Sequence, residues 1–196
     1  MAKSHNILVL LWVMFSVLHS LFANEKWKKK VQIVLKKNYK FYRIVYSFFA
    51  LITLAIVVTY NFSMQSFPLW NVNIIEQVIA VACMLSCGTI MLLFTRKFFF
   101  DLSGADVFQK KQLSRELIKT DLYKYVRHPL YSATLGFVWS IFLYSPLFSN
   151  LISCICITAY TIAGIYLEEK KLVYEFGDNY ISYRSQTPML IPKIFY

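Results

Sequence analysis

Five long apolar runs, at 5–23, 42–62, 73–95, 131–148 and 151–167, constrain this chain more than any other feature. Each approaches the roughly 20 residues that a helix needs to cross a hydrocarbon core about 30 Å thick. Proline interrupts them only at Pro146, near the end of the fourth run. Lipid offers the backbone no hydrogen-bond partners, so only helices and closed barrels can span it, and the short alternating strands of a barrel are absent. The expected fold is therefore all-α: an integral membrane bundle of about five transmembrane helices. The 196 residues are 58% hydrophobic and 16% charged. A soluble domain would carry about 25% charged residues, and these apolar side chains exceed what one aqueous core could hide.

Charge distribution orients the bundle. Eight basic residues fall in 24–43 (Lys26, Lys28, Lys29, Lys30, Lys36, Lys37, Lys40, Arg43) and eight in 96–130 (Arg96, Lys97, Lys110, Lys111, Arg115, Lys119, Lys124, Arg127), with Lys170, Lys171, Arg184 and Lys193 in the tail. Only Lys3 remains for the opposite side, and the connections 62–73 and 146–150 carry no Lys or Arg. The positive-inside rule then predicts an outer amino terminus and a cytoplasmic carboxyl terminus. The first run reads as a retained helix rather than a cleaved leader. Leu21 stands where a cleavage site needs a small residue, and Lys26 to Lys30 follow as a cytoplasmic anchor suited to anionic membrane lipid. The net charge of +11 belongs to these loops, with no separate basic module, so no nucleic-acid partner is expected. Residues 31–41 fit either an amphipathic interfacial helix or an extension of the second crossing.

Polar chemistry gathers at two places. Pro129 suits the first turn of the fourth helix, which puts Arg127 and His128 at its electropositive end, a natural site for a carboxylate or phosphate. Glu168 and Glu169 follow the fifth apolar run, at a helix C-terminus where acidic groups oppose the dipole. A hairpin of the last two helices would bring the two clusters together, giving a pocket with both charges that suits a zwitterion. The same residues also fit a plain surface ion pair between Arg127 and Glu169, with His128 capping the helix. Cys83, Cys87, Cys154 and Cys156 lie in apolar runs without metal-ligand spacing, and they read as small packing residues; no metal is expected.

Arg127, His128, Pro129, Leu130 and Tyr131, followed by Glu168 and Glu169 and then Leu172, Phe176, Gly177, Tyr180, Tyr183, Pro188 and Pro192, resemble the isoprenylcysteine carboxyl methyltransferase superfamily of integral membrane methyltransferases. The likeness covers roughly 115–193, and phospholipid methyltransferases share its centre. Leu11, Trp12, His19, Ser20, Leu21, Phe22 and Ala23, with Tyr42 and Arg43 and a weak echo at Asp101 to Gly104, resemble the nurim-like branch, which includes bacterial methanethiol S-methyltransferases. The resemblance implies one membrane methyltransferase domain over 1–196, with helices one to three and a loop in 1–114 and a cofactor-binding region in 115–193. It also implies S-adenosyl-L-methionine as donor, with S-adenosyl-L-homocysteine as product, at the cytoplasmic ends of the last helices. The matching cofactor contacts are Arg115, Glu116, Leu117, Ile118, Tyr123, His128, Pro129, Leu130, Tyr131 and Glu168. Glu168 would face the donor's ammonium and His128 its carboxylate, while Leu117, Ile118 and Tyr123 would line a slot for adenine.

His19, Arg127 and Glu169 are the candidate catalytic residues. An ionisable side chain in a membrane helix is a functional candidate by default, and a neutral His19 could take a proton from a thiol; it equally fits a histidine bonded to a neighbouring helix. Arg127 would fix the cytoplasmic loop or orient the acceptor. Prenylcysteine enzymes carry an Arg one turn before the glutamates, where this chain has Gly164, so a small or membrane-partitioned acceptor, foremost a thiol, is expected over a prenylcysteine carboxylate. Methylation of a lipidic acceptor is the other enzymatic reading, and a non-catalytic nurim-like scaffold is the alternative of another class. The histidine, tyrosine and glutamate set argues against the scaffold. Tyr180, Tyr183, Arg184 and Pro188 suggest that the tail 178–196 closes over the donor.

Overall fold

A computed structural model describes residues 2–97 and 117–193. In chain order they form α1 (Ala2–Ala23), α2 (Glu25–Leu35), a 3-10 segment (Lys36–Phe41), α3 (Tyr42–Ser63), α4 (Ile74–Lys97), a 3-10 turn (Asp121–Lys124), α5 (Pro129–Tyr144), α6 (Phe148–Phe176) and α7 (Asp178–Gln186). Among the described residues four stretches are long and apolar enough to cross a membrane: α1; the run Glu25–Ser63, which contains α3; α4; and α6. The fifth apolar helix, α5, has 16 residues, about 24 Å of rise. Large apolar side chains such as Leu10, Val17, Leu51, Leu85 and Leu92 are exposed on the outside of the bundle, the pattern of helices solvated by lipid rather than water.

Two boundaries differ from the sequence expectation. α5 begins at Pro129 and ends at Tyr144 instead of running through Phe148, because Pro146 disfavours helical geometry in the residue before it. Leu147 is extended, and α6 starts at Phe148. α6 then continues past Leu167 for 29 residues in all, to Gly177 at φ 53, a left-handed stop that glycine adopts without strain. The charged last turns of α6 therefore stay helical, which fixes the direction in which Glu168 and Glu169 point. Between α1 and α3, Asn24 caps α2 by accepting the Lys26 N–H, and Lys36 at φ 46 breaks it. α2 is thus a separate helix with no buried residue, and 31–41 divides between its end and the 3-10 segment.

α6 organises the bundle, packing on α1, α3, α5 and α7, while α4 packs along α5. Small residues let α4 and α5 approach closely: a Cβ added at Gly136 would meet Cys87 Sγ at 2.6 Å. A buried polar chain joins α1, α3 and α6. Trp12 Nε1 donates to Ser153 Oγ (2.8 Å), Ser153 Oγ to Asn61 Oδ1 (2.9 Å) and Asn61 Nδ2 to Asn150 Oδ1 (2.8 Å), and Asn150 Nδ2 closes on the Ser145 carbonyl (2.8 Å). At the end of the bundle away from Glu168 and Glu169, Leu69 N donates to Pro146 O and Phe148 N to Phe67 O, clasping the two short connections together.

Candidate active site

The ends of α5 and α6 meet, as a hairpin requires. Arg127 Nε donates to Glu169 Oε1 at 2.7 Å, and His128 Nε2 lies 3.2 Å from the same oxygen. The three side chains are only 4–8% exposed. Arg127 also donates to the carbonyls of Arg184 and Thr187. The chain beyond α7 is bound back along the start of α5: Arg127 N donates to Pro188 O, His128 N to Met189 O, and Ser132 Oγ to Leu190 O. Tyr183 donates to the Tyr123 carbonyl at 2.6 Å. Burial pushes the Tyr183 hydroxyl up to about 12, which keeps this donor protonated. Tyr180, 1% exposed, faces the Arg127–Glu169 pair, and its hydroxyl is raised by burial first and then by the glutamate's charge. Arg127 and Glu169 thus anchor the tail to the bundle.

Glu168 is placed differently. One residue advances an α-helix by about 100°, so when Glu169 points inward at Arg127, Glu168 points to the side. There it lies against the Tyr131 hydroxyl and close to Tyr123. Tyr123 is raised by burial and then by the charge of Glu168. Among the described residues no basic side chain pairs with Glu168. A half-buried carboxylate edged by phenol rings and lacking a basic partner among the described residues has the chemistry to take a cation. Tyr160 lies near Tyr131 on this side and near Tyr46 on the other.

Tyr160 leads to His19. The His19 ring stacks on Phe15 (5.6 Å between centroids) and lies 5.2 Å from Tyr46 and 6.0 Å from Tyr160. Its Nδ1 is buried with no hydrogen-bond partner among the described residues, and the imidazole sits among the Phe15, Tyr46 and Tyr160 rings. Beyond Phe15 and Tyr160 lies a cavity of about 410 Å³ between α1, α3, α4, α5 and α6. Trp12, Phe15, Val58, Val138 and Ile157 line it.

The NnrU protein family model matches residues 7–188. The chain belongs to this family. It is 30% identical to the methanethiol S-methyltransferase of Crocosphaera subtropica over 190 residues, covering 92% of this chain and 71% of that protein. It is also 30% identical to methanethiol S-methyltransferase 1 of Bradyrhizobium diazoefficiens over 201 residues, 97% and 68% of the two chains. A shorter match, 32% over 123 residues (55% of this chain, 40% of the relative), is to the protein-S-isoprenylcysteine O-methyltransferase of Xenopus laevis. No solved structure matches. These relatives put this NnrU-family chain among membrane methyltransferases, in agreement with the resemblance of its motifs.

In this NnrU-family protein the residues singled out from the sequence are distributed over three neighbouring places. Arg127, His128 and Glu169 form the anchor; Tyr123, Tyr131 and Glu168 lie together beside it; His19 stands across Tyr160 from Tyr131. Pro129 is buried at the start of α5, Leu117 and Leu130 are half-buried, and Ile118 is 42% exposed. Arg115 and Glu116, like Asp101 to Gly104, lie outside the described residues. Sequence reading missed Tyr160, which resembles any interfacial aromatic, and it missed Asn61, Asn150 and Ser153. A signal for part of the latter existed: Asn61, inside the second apolar run, asks for a partner.

Proposed function

We propose that the protein is an S-adenosyl-L-methionine-dependent membrane methyltransferase that methylates a thiol, with its active site at the cytoplasmic face. The observation that carries this reading is the contrast between adjacent glutamates: Glu169 is held by Arg127 and His128, whereas Glu168 lies beside Tyr131 and Tyr123 with no basic partner among the described residues. That donor set fits a molecule bearing an ammonium and a sulfonium. Glu168 would hold the ammonium, and His128, Pro129, Leu130 and Tyr131 would receive the carboxylate at the positive end of α5. Tyr123, Leu117 and Ile118 would line the adenine slot, with Arg115 and Glu116 completing the segment.

When bound, S-adenosyl-L-methionine would supply a sulfonium-activated methyl, which the thiol sulfur would take up with loss of its proton while the old C–S bonding pair stays with the donor sulfur. The chain's own residues hold the partners in line and keep water out. His19 would accept the thiol proton, and its place across Tyr160 from Glu168 supports that role. Arg127 and Glu169 act as positioning residues by fixing the tail behind the site. At Gly164, one turn before Glu168, nothing lies within 4 Å of an added Cβ. The position has no side chain to hold an acceptor carboxylate, which supports a neutral acceptor. The cytoplasmic placement rests on the basic residues flanking this end of the bundle.

The test is calorimetric titration of the detergent-purified protein with S-adenosyl-L-homocysteine, alongside radiolabelled methyl transfer to thiols. Saturable binding that Glu168→Ala weakens at least tenfold is expected. A folded wild type that binds no S-adenosyl-L-homocysteine refutes the reading.

A further inference from the structure

The cavity behind Tyr160 is larger than a one-carbon thiol needs. Its volume of about 410 Å³ lies within the range of pockets that enclose drug-sized ligands, roughly 300–1,000 Å³. On α6 its lining residues run from Asn150 to Tyr160, about 15 Å along the helix axis. On α3 they run from Leu54 to Phe62, about 12 Å. The space is therefore elongated and parallel to the helices. Tyr160 ends it on the side of His19 and Glu168.

Its walls are apolar for a specific reason. Asn61, Asn150, Ser153 and Trp12 all border the cavity, but their polar atoms are engaged with one another and with the Ser145 carbonyl. Ser16 and Thr134, also on the wall, donate to the carbonyls of Trp12 and Leu130 on their own helices. Hydrogen-bonding capacity is thus turned into the protein, leaving a surface suited to hydrocarbon. Charged and strongly polar ligands would find no partner there.

We propose that this cavity is the acceptor's binding site and that the acceptor is a lipophilic thiol, its hydrocarbon body lying between Trp12 and Val138 and its sulfur at the Tyr160 end, beside His19. The thiol head rests on the function proposed above; the lipophilic body rests on the cavity alone. The site selects by apolar area, so affinity rises with chain length until the volume is filled. Each buried methylene strengthens binding about fourfold.

The experiment compares wild type with Val138→Trp and Val58→Trp, which fill the cavity from α5 and α3. Each protein, in one detergent, is titrated with ethanethiol, butanethiol and octanethiol, and binding is read as the shift in thermal midpoint. Octane serves as a headless control, and S-adenosyl-L-homocysteine binding is measured on every sample. The expected result is affinity that climbs with chain length in wild type, at least a tenfold loss for octanethiol in both variants, and unchanged S-adenosyl-L-homocysteine binding. Methyl transfer should follow the same order, octanethiol above ethanethiol in kcat/KM only in wild type. A length dependence that is flat, or identical in wild type and both variants, overturns the inference while donor binding stands. Octane binding as tightly as octanethiol also overturns it, because the cavity would then be a general apolar void filled by lipid. Absence of S-adenosyl-L-homocysteine binding to wild type overturns the parent reading and the acceptor assignment with it.

Discussion

Glu168 and Glu169 are neighbours in sequence, and their removal should have opposite consequences. Glu169→Ala leaves Arg127 without its counter-ion in a place where both side chains are 7–8% exposed. Breaking a buried pair from one side costs about 3–5 kcal/mol. Arg127 keeps its bonds to the Arg184 and Thr187 carbonyls, so the lower end, about 3 kcal/mol, applies. For a chain of this size that corresponds to a fall of about 6–12 °C in thermal midpoint, measurable in detergent by intrinsic fluorescence. Glu169→Gln should recover part of the loss by retaining an acceptor for Arg127 Nε. Glu168→Ala breaks no ion pair among the described residues and should change stability by about 0.5 kcal/mol at most. What it should remove is ligand stabilisation: wild type gains about 2.7 kcal/mol from S-adenosyl-L-homocysteine at 100 times its Kd, and Glu168→Ala gains little at the same concentration. Two variants of equal stability, or a Glu168→Ala protein with the full ligand shift, would refute the division between anchor and cation site.

Three further outcomes follow from the same geometry. His19→Phe should preserve ring packing on Phe15 and Tyr46 and leave S-adenosyl-L-homocysteine affinity unchanged, while lowering kcat for thiol methylation about 10²-fold or more; an unchanged kcat at neutral pH would remove His19 from the chemistry. Gly136→Ala should cost about 1 kcal/mol or more through the approach of its Cβ to Cys87 Sγ, and Cys87→Ala should restore most of that in the double variant, as read from thermal midpoints. Tyr183, whose pKa is raised to about 12 in the folded protein, contributes stability that is intact below pH 10 and lost as pH rises from 10 through 12. Stability curves of wild type and Tyr183→Phe should therefore converge across that interval, and a constant gap between them would contradict the Tyr183 to Tyr123 hydrogen bond.

Much of this architecture was readable from the chain because lipid imposes a long, one-dimensional signal. Apolar runs locate helices without any knowledge of what they pack against, and the pairing of Arg127 with Glu169 followed from placing two polar clusters at the ends of a hairpin. Helix ends were less legible. α6 was expected to stop where its apolar run stops, yet its charged last turns remain helical to Gly177, and that extension sets the directions of both glutamates. The tail clamp at Pro188, Met189 and Leu190 was invisible for another reason: two backbone N–H groups and the Ser132 hydroxyl make it across about 60 residues, and that set leaves no pattern in the sequence.

The same distinction explains why the two glutamates could not be assigned by spacing. Adjacent residues on a helix face about 100° apart, so a Glu-Glu pair at the edge of a bundle necessarily presents one carboxylate to the interior and one to the side. The interior one needs a permanent cation, since burial without one is costly; Arg127 meets that need and simultaneously holds the carbonyls of Arg184 and Thr187. The lateral one is then free of structural duty. Among the described residues it lies against the phenols of Tyr131 and Tyr123, which can accept a bound cation against their faces and cannot neutralise a carboxylate themselves. Among the described residues a permanent counter-ion stands beside Glu169 and none beside Glu168, which would leave a place for a transient cation, with Tyr160 between it and the apolar cavity proposed for the acceptor.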